Sequence, residues 1–208
     1  MNSNFHRSGI LFVVSAPSGA GKTTICSALR QNPDFVYAVS CTTRAPRPGE
    51  VNGEDYHFLS EEEFVRRVEA GEFLEHAEVH GRRYGTLKSD VLENLSNGVD
   101  VLLDIDIAGA ASIRACEDPG IRAALADIFI MPPNLEELRR RLLKRGTETD
   151  DQIAIRLANA AQEMEHWHAY KYTLISSSME EDIEKFRAIM RAERYLTRRF
   201  SLANGTLQ

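Results

Sequence analysis

Only three cysteines occur in the 208 residues, Cys26, Cys41 and Cys116, and no two form a C-x-x-C pair. That composition supplies neither a disulfide framework nor a cysteine zinc site, and it fits reduced thiols in the cytoplasm. Long apolar runs are missing too: none approaches membrane-spanning length, and the polar opening residues 1–8 are too short for a signal peptide. Excess positive charge is absent, with 25 Lys and Arg against 31 Asp and Glu and a net charge of −6. This argues against a general nucleic-acid or membrane-surface binder, which needs a basic face. His57, His76, His80, His166 and His168 show no ligand spacing with cysteine, which argues against a metal held through them. There is no internal repeat and no low-complexity tract. What remains is an ordinary globular composition, 43% hydrophobic and 27% charged, in a length that folds as one domain with inserted sub-domains.

The most informative stretch is Ala16-Pro17-Ser18-Gly19-Ala20-Gly21-Lys22-Thr23, between the apolar run 10–14 and a helical pattern at 24–29. A buried strand that turns through glycines into a helix aims backbone N–H groups at one small volume, and the helix N-terminus adds partial positive charge there. Lys22 supplies a mobile ammonium for outer phosphates, and the Thr23 hydroxyl is placed to ligate Mg²⁺. The pattern is the P-loop G-x-x-x-x-G-K-[ST], with Ala16 where the first glycine belongs. A nucleoside triphosphate is the expected ligand.

Strands and helices alternate, so an α/β fold with a largely parallel sheet is expected. Strands are read at 10–15, 36–40, 101–104, 127–131 and 172–175, and helices at 22–31, 108–115, 135–144, 151–170 and 179–200. Asn134-x-x-Glu137 and Thr149-x-x-Gln152 have capping-box spacing at helix starts. Two segments break the alternation. Residues 41–98 open with a Pro/Gly/Arg-rich loop, continue through short alternating runs at 56–59 and 73–79, and hold a helix from Ser60 to about Ala70, a pattern that fits a small β-rich insertion. Residues 135–168 are helical and basic, with Arg139, Arg140, Arg141, Lys144, Arg145 and Arg156 around the turn 145–149. That suits a mobile lid, although a solvated helix face accounts for some of these charges. Trp167 and Tyr170 read as packing residues, and Ile183, Phe186, Ile189, Met190 and Leu196 as a core-facing stripe whose second use would be an oligomer contact.

Phosphoryl transfer needs two aligned substrates, exclusion of water and neutralised charge. The P-loop serves the donor. For the acceptor, Arg44 and Arg47 stand three residues apart among Pro46 and Pro48, a pair that can clamp a phosphate monoester. Tyr56 and Tyr84 could donate to the same phosphate, and Glu75 could accept from both N1–H and N2–H₂ of a guanine. Each tyrosine alone fits a core residue and Glu75 alone a solvated one; their grouping in one insertion favours the binding role. Asp104 ends the run 101–103 at a carboxyl strand edge, where it would support Mg²⁺ through water or cap the following helix; Asp106 is the better cap.

The blocks S-A-P-S-G-A-G-K-T-T, T-T-R-x-P-R-P-G-E-V-N-G-x-D-Y-x-F, F-L-E-H-A-E-V-x-G-x-x-Y-G-T, D-V-L-L-D-I-D and R-G-T-E-T, in order from residue 10 to 194, resemble bacterial guanylate kinases. The resemblance implies ATP- and Mg²⁺-dependent phosphorylation of GMP, and of dGMP, by a P-loop-type parallel sheet flanked by helices. It divides the chain into a core (8–40, 99–134 and 169–208), a GMP-binding insertion (41–98) and a helical lid (135–168). On the matching motifs, residues from Ala16 to Thr24 would bind ATP. Arg44, Arg47, Tyr56 and Tyr84 would hold the GMP phosphate, and Ser40, Glu75, Thr86 and Asp106 would read the guanine or its surroundings. Lys22, Arg44, Asp104, Arg141, Arg145 and Arg156 would serve catalysis, the lid arginines closing over the transferring group. The family's Asn-Asp after the last strand is Ser176-Ser177 here, and position 107 is Ile in place of an aromatic or Met. The resemblance also implies a cytoplasmic enzyme with ATP and GMP as partners, no nucleic acid and no membrane, and it is compatible with a homo-oligomer. Two other readings are a P-loop kinase acting on a sugar phosphate such as ribose 1,5-bisphosphate, against which Ser40 and Glu75 speak, and a non-catalytic guanylate-kinase-like module, against which the intact Gly19, Gly21, Lys22 and Thr23 speak.

Overall fold

The computed structural model describes residues 5–31, 34–79, 81–145 and 149–202, without the side chain of Arg145. The chain runs through β1 (Phe5–Arg7), β2 (Leu11–Ser15), α1 (Lys22–Arg30), β3 (Val36–Tyr37), β4 (Cys41–Thr42), β5 (His57–Phe58), α2 (Glu61–Glu69), β6 (Phe73–Val79), β7 (Arg82–Leu87) and α3 (Lys88–Ser96). It continues through β8 (Val101–Asp104), α4 (Ile107–Ala115), α5 (Pro119–Ala124), β9 (Leu125–Met131), α6 (Leu135–Arg145), α7 (Asp150–Met164), β10 (Tyr172–Ile175), α8 (Met179–Arg194) and β11 (Phe200–Leu202).

Five strands form the central sheet in the order β10-β9-β2-β8-β3, every pairing parallel. Its middle strand β2 is buried throughout, so both faces must be apolar, as parallel sheets require. The period of two sends Phe12 and Val14 to one face, with Ile25 and Leu29 of α1 and Phe186 and Met190 of α8. Leu11 and Val13 go to the other, with Val91 and Leu95 of α3, Ile113 of α4 and Ile121 of α5. All strands of this sheet point their carboxyl ends the same way, which places the loop after β2 and the ends of β3, β8 and β10 on one rim, the usual place for a ligand.

Two smaller layers stand at that rim. A mixed sheet, β5-β4-β7-β6, has its own cluster of Cys41, Phe64, Phe73 and Leu87, with the Phe64 and Phe73 rings stacked 4.5 Å apart. Helices α6 and α7 pack Leu138, Leu142, Ile153 and Ala160 together. The Thr149–Gln152 capping box starts α7 as its spacing predicts, and the Asn134 amide oxygen accepts the Glu137 N–H at 2.8 Å ahead of α6. The turn 146–148 lies outside the described residues.

Several expectations change. The strand read at 36–40 pairs only over Val36–Tyr37, and the one read from 127 begins at Leu125. The helix read to 170 is α-helical only to Met164, and a 3₁₀ turn carries Glu165–Ala169. Just after that turn Tyr170 packs on Phe129 at 4.9 Å as expected, whereas Trp167 within it stays 39% exposed beside His168. The last helix stops at Arg194 instead of 200, because Arg199 turns back and donates from Nε to the Glu193 carbonyl at 3.0 Å. That leaves Leu196 beyond the helical stripe and lets β11 pair with β1. Helices α3 and α5 are additions to the sequence reading: α3 has no capping side chain and α5 only six residues. All three cysteines are free.

Candidate active site

The loop after β2 takes its shape from two glycines in the left-handed region, Gly19 at φ +86° and Gly21 at φ +101°. Gly21 is the N-cap of α1 and has no side chain to offer, so the first N–H groups of the helix stay open to a ligand. Gly19 is needed twice, since a Cβ there would stand 2.9 Å from Leu142 Cδ2 of α6. A cavity of about 290 Å³ is lined by residues 16–23 together with Asp106 and Glu163. Lys22 Nζ stands 2.7 Å from Asp104 Oδ1 and donates to the Ile105 carbonyl at 2.6 Å. This ties the loop to the carboxyl end of β8. The Thr23 and Thr24 side chains lie exposed on the first turn of α1.

Beside this cradle lies a second cavity of about 260 Å³, between the rim and the small sheet. Lys22, Ser40, Tyr56, Glu75, Tyr84, Asp104 and Asp106 line it. Glu75 is only 8% exposed, and its Oε1 accepts the Thr86 hydroxyl at 2.7 Å. Burial pushes its carboxyl above the usual carboxylate range, and the neighbouring Asp106 charge adds to the push against the Thr86 hydrogen bonds. Asp106 is the N-cap of α4, accepting the Gly109 N–H at 2.7 Å, so the cap falls to Asp106 and Asp104 is left for Lys22. The Tyr56 and Tyr84 rings meet edge to face at 6.1 Å.

The expected arginine pair is arranged differently. Arg44 gives both ends of its fork to Glu50, at 2.9 Å each, and sits over the Tyr56 ring at 5.3 Å. Glu50 also accepts the Arg47 backbone N–H at 2.7 Å, while the Arg47 side chain points into solvent and does not line the cavity. Glu50 therefore ties the Arg44 side chain to the backbone at Arg47, a partnership no local pattern marks.

From α6, Arg141 donates to the Ala20 carbonyl at 3.1 Å and the Ser176 hydroxyl at 3.0 Å. It is held by Glu137, whose carboxyl Arg140 and Arg141 bring down to about 2. With Met179 and Asp182 these residues line a cleft of about 530 Å³ behind the phosphate loop. Asp182 accepts from the Ser176 hydroxyl at 2.7 Å and the Ser177 N–H at 2.8 Å, so the Ser176-Ser177 pair is fixed by α8. Arg156 lies half-buried on α7, and the side chain of Arg145 lies outside the described residues. Glu163, near the end of α7, is a contact that no local signal marks: its Oε2 accepts the Ser18 N–H at 2.8 Å.

The family model described as guanylate kinase matches residues 8–193 of the chain. A curated guanylate kinase of Maricaulis maris is 48% identical over 190 residues, 90% of this chain and 85% of that protein. The guanylate kinase of Sphingopyxis alaskensis is 46% identical, over 94% of this chain and 88% of its own length. Among solved structures, the crystal structure of guanylate kinase from Anaplasma phagocytophilum is similar at a TM-score of 0.71 and 37% identity, covering 95% of this chain and 93% of that one.

Proposed function

The chain belongs to the guanylate kinase family and phosphorylates GMP with ATP, and we propose that its residues divide this task between a donor cradle and an acceptor cavity that meet at Lys22. The observation that carries the proposal is that Lys22 lines both cavities, with Asp106 shared between them as well. In this reading the backbone N–H groups of the loop hold the ATP phosphates, and the Lys22 ammonium follows the negative charge from donor to acceptor. Tyr56 and Tyr84 line the acceptor cavity and hold the phosphate of GMP, with Arg44 released from Glu50 and Arg47 turned in from solvent to join them. Glu75, oriented by Thr86, accepts both N–H groups of the guanine edge, with Ser40 and Asp106 beside it. Arg141, Arg145 and Arg156 neutralise the equatorial oxygens as α6 and α7 exclude water. Little covalent work falls to the protein; alignment and charge stabilisation do most of it.

The exposed Thr23 hydroxyl and the partly exposed Asp104 carboxylate are hard oxygen donors, too few for a protein cage. They fit Mg²⁺, which keeps waters and binds with substrate phosphates, and which supplies charge neutralisation there. The acceptor residues address phosphate and base, which makes dGMP a second substrate. The separate apolar clusters of the small sheet and of α6–α7 support a core (8–40, 99–134, 169–208), an acceptor-binding insertion (41–98) and a lid (135–168). The free cysteines support a cytoplasmic setting, and the net charge of −6 a protein without nucleic-acid partners.

The test is diphosphate formation from ATP with GMP, dGMP, AMP, CMP and UMP. Turnover of GMP and dGMP well above the other three is expected. Equal turnover of AMP overturns the base-reading role of Glu75.

A further inference from the structure

Glu163 sits one residue before the end of α7, and its carboxylate touches the phosphate loop at a residue 145 positions away. It belongs to the wall of the cradle, with Oε2 2.8 Å from the Ser18 nitrogen. A loop that turns its N–H groups inward ahead of a helix is built to attract anions, and here one of those groups already has an anion of the chain's own. The carboxyl end of α7 adds partial negative charge at the same place. The cation of the cradle, Lys22, is meanwhile paired with Asp104 at 2.7 Å.

We propose that Glu163 is a built-in competitor of the donor's phosphates: a triphosphate entering the cradle has to displace this carboxylate from Ser18. The displacement has a mechanical consequence, because Glu163 and Arg156 ride on the same helix. Freeing one end of α7 from the loop releases the element that carries a lid arginine. Donor affinity is thereby lowered in exchange for coupling between an occupied loop and a mobile lid. The inference rests on the reading of the cradle as a triphosphate site.

The experiment is calorimetric titration of Mg·ATP, and separately of inorganic tripolyphosphate, into the wild-type chain, Glu163→Gln and Glu163→Ala. Loss of one like charge in a partly shielded site is expected to tighten both ligands by about three- to thirtyfold, with Glu163→Ala at least as tight as Glu163→Gln. The gain should shrink between about 50 mM and about 500 mM salt, as a through-space repulsion does. Glu163→Gln keeps the shape and the acceptor, so it carries the test if the alanine variant folds poorly. Unchanged or weaker binding by Glu163→Gln overturns the competitor role while leaving the cradle reading intact. A wild-type chain that binds neither probe overturns the cradle reading itself.

Discussion

Replacing Glu75 by glutamine is the sharpest single perturbation of the acceptor cavity. The change removes one charge and turns one acceptor into an NH₂ donor while keeping the shape of the side chain. Because Thr86 donates to Oε1, the glutamine oxygen is drawn to that hydroxyl and the new NH₂ faces the guanine edge, donor against donor. One charge-assisted hydrogen bond in a nearly closed site is lost, about 1–3 kcal/mol, or about 5- to 150-fold in kcat/KM for GMP. The KM for ATP should stay within about twofold of wild type. Discrimination between GMP and IMP, which lacks the 2-amino group, should narrow in the same variant. Stability should move the other way. Burial raises the folded-state pKa of Glu75 above its ordinary 4.5, so its contribution to stability is full at low pH and is lost as pH rises through the raised value. Glu75→Gln should therefore be at least as stable as wild type at neutral pH. In the wild type, KM for GMP should climb as pH falls through that raised value, and the climb should vanish in the variant. Steady-state kinetics from mildly acidic to neutral pH, with a thermal melt of each protein, reads all of this. An unchanged kcat/KM for GMP would refute the reasoning, since a buried carboxylate facing the base cannot be neutralised without effect if it binds the base.

Gly19→Ala must hold a positive φ and push against Leu142, so a loss of about 1–3 kcal/mol and a lower melting temperature are expected; an unshifted melt would show that α6 gives way freely. Glu193 is fully buried, and although burial pushes its carboxyl up, Lys171, Tyr172 and Arg199 outweigh that and hold it below the usual range. Glu193→Ala strands the buried Arg199 and should cost about 3–5 kcal/mol in denaturant unfolding. Because this pKa is lowered, the stability it brings is present at neutral pH and lost as pH falls through the folded-state value, an acid dependence the variant should lack. Burial pushes the Cys26 thiol up to about 12 and Cys41 to about 11, so native-state alkylation near neutral pH should label Cys116 alone, against three sites in denaturant by mass spectrometry.

What could be read from the sequence, and what could not, divides along a physical line. The phosphate loop is legible because its demands are local: Gly19 and Gly21 hold conformations few other residues tolerate, directly between a buried strand and a helix. The strand at 101–104 appears at its expected bounds because burial on both faces leaves a continuous apolar run, and the edge strand at 172–175 also keeps its expected bounds. Asp106 as a cap and the Thr149–Gln152 box are equally local. Charge partners are not. Glu50 answers to Arg44 only once the proline-rich loop has folded, and Glu163 meets Ser18 only after the whole core has been laid between them. Arg199 ends α8 early through a carbonyl and a carboxylate that no helical periodicity reveals. A basic cluster such as 139–145 reads the same whether its arginines face solvent or a phosphate, and Arg141 is fixed to Ala20 and Ser176 by contacts across the chain. Backbone shape thus declares the glycine loop in eight consecutive residues. The carboxylates that touch it, Asp104 and Glu163, come from distant elements, and those contacts are read only from distances.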